Sequence, residues 1–107
     1  MRQWGRGEYQ LWWDIIARNK KSVSLDLRQA QGQALARELI GGADILIENF
    51  RPGTLEKWGL DPVDLRRANP RLIVIRVSGY GQTGPYSSRA GFGGIGEAMG
   101  GWRHIDR

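Results

Sequence analysis

The sequence contains no cysteine. That absence excludes disulfide bridges, thiolate-held zinc and a cysteine nucleophile together, and it fits a reducing compartment. Histidine occurs once, as His104, so no two-histidine metal site can form and no metal is expected. A single histidine close to the last residue of the sequence reads as a surface residue. No apolar run approaches the roughly 20 residues that a membrane-crossing helix needs. The opening Met1-Arg2-Gln3-Trp4-Gly5-Arg6 lacks the apolar centre of a signal peptide. No membrane partner and a cytoplasmic location are therefore expected. Basic clusters are scarce as well. The net charge is +5, yet the only basic doublets are Lys20-Lys21 and Arg66-Arg67, so no basic arm of the nucleic-acid-binding kind is visible and no nucleic acid is expected as a partner.

What is present is the balance of a soluble globular chain: 107 residues, 40% hydrophobic and 25% charged. A chain of this size hides only about 60–70% of its unfolded surface, so one small core is the most it can form. Residues 1–107 are read as a single partial domain.

The first 19 residues cluster Trp4, Trp12, Trp13, Ile15 and Ile16 without a clean period, and a short helix is predicted near 8–17. From Ser22 onward Val23, Leu25 and Leu27 alternate with Ser22, Ser24 and Asp26, the period of a strand. A helix over 29–41 is predicted from Ala34, Leu35, Leu39 and Ile40 on one face, with Gly41-Gly42 as its stop. Ile45-Leu46-Ile47 suits a buried strand that ends in Glu48-Asn49-Phe50. Arg51-Pro52-Gly53-Thr54 turns the chain, and Thr54 to Trp58 gives one or two helical turns closed by Gly59. Asp61-Pro62-Val63-Asp64 carries an N-cap, a proline at the first helical position and an acid at the positive end of the dipole. Asn69-Pro70 ends that helix. Leu72-Ile73-Val74-Ile75-Arg76-Val77 is a β-branched strand of the kind covered on both faces.

Three strands separated by helices imply parallel pairing through crossover connections. The expected fold class is therefore α/β, a partial Rossmann-like parallel sheet with crossover helices. A glycine-rich stretch, Ser78 to Gly94, then leads into a short helix near 93–100.

Two segments match G-x-G-x-x-G: Gly79-Tyr80-Gly81-Gln82-Thr83-Gly84 and Gly91-Phe92-Gly93-Gly94-Ile95-Gly96. The first follows a strand but runs into Pro85. The second can open a helix but follows a loop. Neither has the full strand-turn-helix context of a dinucleotide site, and plain turning loops explain both. Glu48-Asn49-Phe50 is better placed, because ligands of open α/β sheets lie beyond the carboxyl ends of the strands. An amide beside an aromatic ring suits a nucleotide-like group. The alternative is that Phe50 covers the sheet edge and Asn49 caps the next turn. The 11 acidic residues are scattered; Asp61 and Asp64 are explained by capping, and Glu38 and Glu56 by exposed helix faces. Ser78, Ser87 and Ser88 lack a nucleophile-elbow context. No catalytic residue stands out.

Several of these segments, in order and with matching spacing, resemble the family III CoA-transferases. They are Arg18-Asn19-Lys20-Lys21-Ser22-Val23-Ser24-Leu25-Asp26-Leu27, Ala43-Asp44-Ile45-Leu46-Ile47-Glu48-Asn49-Phe50-Arg51-Pro52-Gly53 and Leu55-Glu56-Lys57-Trp58-Gly59-Leu60. Asn69-Pro70-Arg71-Leu72-Ile73, Ser78-Gly79-Tyr80-Gly81, Gly84-Pro85-Tyr86 and Ala98-Met99-Gly100-Gly101 continue the likeness over nearly all of the chain.

The resemblance implies that this chain is part of the Rossmann-like large domain of an enzyme that moves CoA from an acyl-CoA to a carboxylic acid. It implies an interlocked homodimer, coenzyme A as substrate and no tightly bound cofactor. The family's nucleophile is an aspartate downstream of the segment matching Met99-Gly100-Gly101, and its opening strand and an arginine near CoA would precede Met1. The expectation is a fragment that is inactive by itself. By position, Leu25 and Arg28 match residues at the CoA nucleotide, and Asn49 and Phe50 match contacts after the strand. Lys57 matches a basic phosphate contact, and Arg89 is a further basic candidate. Cations suit CoA, because charge-assisted hydrogen bonds to phosphate are the strong kind. Where many members carry an acid after the aromatic residue matching Phe92, this chain has Gly93. Two rivals from other classes are a small nucleic-acid-binding module and a dinucleotide-dependent oxidoreductase. Steeply salt-dependent binding without preference for CoA would mark the first, and NADH binding the second.

Overall fold

The protein is described by a computed structural model over residues 11–91 and 93–105. Its elements, in chain order, are helix α1 (Leu11–Ile16), α2 (Ala30–Gly41), strand β1 (Ile45–Glu48), α3 (Thr54–Lys57), α4 (Pro62–Ala68), β2 (Ile73–Arg76), α5 (Gly93–Met99) and α6 (Trp102–Ile105). Residues 8–10 of the helix predicted near 8–17 lie outside the described residues. The turn α6 was not anticipated.

The two strands pair in parallel, in the register Ile45↔Ile73, Leu46↔Val74, Ile47↔Ile75 and Glu48↔Arg76. Their connection runs through α3 and α4, the crossover that parallel strands require. The third expected strand does not form. Residues 21–26 carry no strand assignment, and among the described residues the sheet has two strands. The alternation of Ser22 to Leu27 is real, since Leu25 and Leu27 pack on the core while Val23 is 62% exposed. A strand also needs a neighbour to hydrogen-bond with, and no described strand flanks this segment. Gln33 Nε2 donates instead to the Leu27 carbonyl at 3.0 Å.

The core comprises Ala36, Leu55, Leu60, Leu65 and Leu72, with Leu46, Val74, Ile40 and Trp58 packed around it. It lies on one face of the sheet. On the other, Ile45, Ile47, Ile73, Ile75 and Val77 are 42–67% exposed, so the face expected to be covered is open among the described residues. The alternate burial along both strands divides the two sets by the simple two-residue period.

Helix α2 is rotated from its predicted orientation. Gly32 and Ala36 are buried and Ile40 half-buried, whereas Leu35 and Leu39 are 44% and 57% exposed. Small residues face inward because the helix lies close against neighbouring backbone, with Gly32 directly on the Asp26 carbonyl. Arg37 fixes the same rotation by donating to the Gly59 carbonyl, with Nε at 3.1 Å.

Helix α3 ends as its sequence predicts. The Leu60 N–H donates to the Leu55 carbonyl at 2.9 Å and the Gly59 N–H to Glu56 at 3.0 Å, a Schellman turn with Gly59 at φ 67°. Leu55 and Leu60, the apolar pair that accompanies such a turn, are 3% and 1% exposed. In α4, Asp61 accepts the Val63 N–H at 2.7 Å, as an N-cap should. Asp64 pairs with Arg67 at 2.9 Å. Beyond the helix, Asn69 Nδ2 donates to the Ala43 carbonyl at 3.0 Å and ties the end of α4 to the approach to β1.

Candidate functional site

A cleft of about 410 Å³ opens where both strands end. The turn Asn49–Pro52 after β1 forms one wall, Val77–Gly79 after β2 the floor, and Arg89–Gly91 with the start of α5 the opposite wall. This is the position at which parallel sheets hold ligands, because the loops there diverge and leave backbone groups free.

Glycine makes the cleft possible in a way its motifs did not suggest. A Cβ placed on Gly79 would meet the Gly91 α-carbon at 2.5 Å, and one on Gly91 would meet the Gly79 α-carbon at 2.7 Å. The first glycines of the two G-x-G-x-x-G segments thus pack backbone on backbone. Gly81 and Gly84, both at positive φ, turn the chain between them. The first segment leads into irregular turns rather than a helix, and the second enters α5 at Gly93.

Three of the six residues singled out from sequence meet in this cleft: Asn49, Phe50 and Arg89. Phe50 is 38% exposed, and its ring meets the edge of Trp58 with centroids 5.0 Å apart at 82°. Arg89 lies 4.1 Å above the Tyr86 ring, which in turn meets Tyr80 edge-on at 5.7 Å. Such cation–ring stacking holds a guanidinium in place while leaving its N–H donors open.

The other three do not line the cleft. Leu25 is half-buried against the core. Lys57 is exposed on the last turn of α3, next to Trp58. Arg28 is exposed and held by Asp26 through two bonds, Nε to Oδ1 at 2.9 Å and Nη2 to Oδ2 at 3.0 Å. Those side-chain bonds, with the Arg28 N–H also donating to Asp26, keep the Asp26 carboxyl below the usual range and raise the Arg28 guanidinium.

Sequence reading missed the group behind the cleft wall. Arg76 Nε donates to Glu48 Oε1 at 2.7 Å, and its Nη1 and Nη2 donate to Glu56 at 2.8 and 3.3 Å. The Glu48 side chain is 2% exposed and that of Arg76 19%. Glu48 Oε2 also accepts the Phe50 N–H at 2.7 Å. Glu56 is thus not the free residue of an exposed helix face. Burial pushes its carboxyl up, but the bonds from Arg76 and from backbone outweigh this and hold it below its ordinary value. Burial likewise lowers Arg76, and its two carboxylate partners more than reverse that. The signal was available: Glu48 and Arg76 share the inward face with Leu46 and Val74, where a charge needs a partner. Sequence alone does not give the register that pairs them.

A second concavity, about 390 Å³, lies between α1 and Ser22 and is lined by Trp13, Arg18, Lys20 and Lys21 among others. Among the described residues no group of acids and histidines could hold a metal ion, and no helix is long and apolar enough to cross a membrane.

The family model described as CoA-transferase family III matches residues 1–106. The chain is 60% identical over 108 residues to succinyl-CoA–D-citramalate CoA-transferase of Chloroflexus aurantiacus, covering 98% of this chain and 27% of that one. It is 52% identical over 109 residues to the alpha subunit of succinyl-CoA–L-malate CoA-transferase of Chloroflexus aurantiacus, covering 98% and 26%. Among solved structures, a CAIB/BAIF family protein from Brucella suis superposes with a TM-score of 0.70 at 45% identity, over 77% of this chain and 22% of that one. The chain spans about a quarter of the length of the relatives it matches.

Proposed function

The chain belongs to CoA-transferase family III, and on that premise we propose that its strand-end cleft holds part of coenzyme A in an enzyme that moves CoA from an acyl-CoA to a carboxylic acid. The observation that carries this reading is that Asn49 and Phe50, two positions the family resemblance assigns to CoA, line one cleft at the carboxyl ends of the strands together with Arg89, the further basic candidate. An amide, an aromatic edge and a cation are the groups that an adenine ring and phosphates would use. Arg28 and Lys57, exposed outside the cleft, would meet the phosphates, and Leu25, matched like Arg28 to the CoA nucleotide, would contact the ligand beside Arg28. Relatives named for succinyl-CoA make succinyl-CoA the first donor to try, with a small carboxylic acid as acceptor.

The chemistry of the family runs through an acyl-enzyme anhydride on an aspartate. None of the site residues described above supplies that nucleophile, so this segment's part is to bind and orient CoA. The reading includes a homodimeric, interlocked parent enzyme in the cytoplasm without a tightly bound cofactor.

Calorimetric titration of CoA into the chain tests the binding, with NADH and single-stranded DNA as rival ligands. Activity is tested in a chimera in which these 107 residues replace the matching 27% of the Chloroflexus D-citramalate enzyme. Saturable CoA binding together with an active chimera supports the reading. A preference for NADH or DNA, or a folded chimera that transfers no CoA, overturns it.

A further inference from the structure

Glu48 is a charge buried on the apolar side of the sheet, and it is spent on two donors at once. One carboxylate oxygen takes the Arg76 Nε and the other takes the backbone N–H of Phe50, each at 2.7 Å. The second bond closes a short ring across Asn49, so the buried carboxylate sets the direction of the peptide that carries Asn49 and Phe50 into the cleft. Arg76 then reaches past Glu48 to Glu56, gripping it through both Nη atoms. Glu56 is on α3, whose C-cap is Trp58, and Trp58 is the ring against which Phe50 rests. Phe50 is therefore held twice, by its N–H through Glu48 and by its ring through Trp58, and both holds converge on Arg76.

We propose that Glu48 and Arg76 are positioning residues for CoA: they touch no ligand, and they fix the pose in which Asn49 and Phe50 meet it. This rests on the reading that the cleft holds CoA. A merely structural ion pair would need only one carboxylate partner at the strand ends. Here the same group extends from the floor of the sheet to the backbone of the ligand-facing turn and to the helix behind the aromatic ring.

The test is Glu48→Gln, which keeps the shape of the side chain. Glutamine has one acceptor oxygen and an NH₂ that faces a second donor, so it cannot satisfy Arg76 and the Phe50 N–H together. In the active chimera its KM for succinyl-CoA should rise about tenfold, the cost of one charge-assisted hydrogen bond, with kcat held within about twofold. In the 107-residue chain the Phe50 amide proton should move upfield as it loses its carboxylate partner. Arg76→Lys should fall between the two, since an ammonium keeps the charge but cannot fork to both carboxylates.

An unchanged KM, or a fall in kcat with KM intact, would overturn the positioning role. Phe50→Ala separates the two levels of argument. If it raises KM while Glu48→Gln does not, CoA binding stands and the positioning role is wrong; if neither raises KM, the cleft is not the CoA site. Should Glu48→Gln fail to fold, Glu56→Gln loosens only the outer arm and leaves the buried pair intact. A KM rise of about threefold is then expected, and no rise overturns the proposal.

Discussion

Gly79 and Gly91 touch through their backbones, so closely that a single added methyl on Gly79 would come within 2.5 Å of the Gly91 α-carbon. No flexible side chain lies between them to move aside. The contact joins the loop after β2 to the loop that opens α5, and the cleft floor and one wall depend on it.

Gly79→Ala is therefore expected to destabilise the chain by about 1–3 kcal/mol, the usual scale for overpacking, and to weaken CoA binding in proportion as the wall shifts. Chemical denaturation and CoA titration of the same variant check both. Gly81→Ala makes a useful contrast, since a Cβ there meets nothing within 4 Å and only its positive φ is strained. Its stability should fall by a smaller amount, of order 1 kcal/mol, with the cleft left in place.

Arg28 and Lys57 are exposed cations, and the contacts with CoA phosphates proposed for them should be screened by salt. Arg28→Ala and Lys57→Ala should each weaken CoA several-fold at low ionic strength and much less at high. Phe50→Ala should cost affinity equally at both, because its contribution is apolar contact. Because Asp26 holds the Arg28 guanidinium, Asp26→Asn should tighten CoA binding at low salt. Titrations at two ionic strengths read all four variants; unchanged affinity in both lysine and arginine variants at low salt would refute the assignment of these cations.

Glu56 makes a prediction about pH. Its folded carboxyl lies below the ordinary value of 4.5, so its contribution to stability is complete above that value and is lost as pH falls through the folded one. Wild type should melt higher than Glu56→Gln at about pH 6, and the gap should close toward about pH 3. A gap in melting temperature that stays constant over this range would show that the Arg76–Glu56 charge pair contributes nothing.

The open face of the sheet sets the behaviour of the chain in solution. Ile47 is 67% exposed beside Ile45, Ile73 and Ile75, an apolar patch that favours association. Ile47→Thr should change stability by no more than about 0.5 kcal/mol, as surface substitutions do, while lowering binding of an apolar dye and slowing aggregation. Light scattering and dye fluorescence of the two proteins at equal concentration test this.

The sequence was most legible where a local rule decides the structure. The N-cap at Asp61, the stop at Gly59 and the β-branched run of β2 each follow from one or two residues and their neighbours. It was least legible where a distant partner decides. Ser22 to Leu27 has strand alternation but, among the described residues, no neighbour to pair with. Helix α2 turns its glycine and alanine inward because backbone lies against it, although Leu35 and Leu39 make the more apolar stripe. Of the residues that line the cleft, Asn49 and Phe50 were singled out by their place after a strand and Arg89 as a further basic candidate, while Glu48, Arg76 and Glu56 needed the register of two strands to come together.

That register has a consequence for how the strands find each other. Ile45-Leu46-Ile47 and Ile73-Val74-Ile75 are so alike that aliphatic packing alone distinguishes poorly between one alignment and another shifted by two residues, which would keep every side chain on its own face. The charges at the two ends remove that ambiguity. In the observed alignment Glu48 meets Arg76; slipped by two, Arg76 would lie level with Leu46 or beyond the end of β1, and the buried carboxylate would keep its local bond from the Phe50 N–H but lose its cation, at a cost of about 3–5 kcal/mol. The pair is thus a stop that admits one alignment of two nearly interchangeable strands.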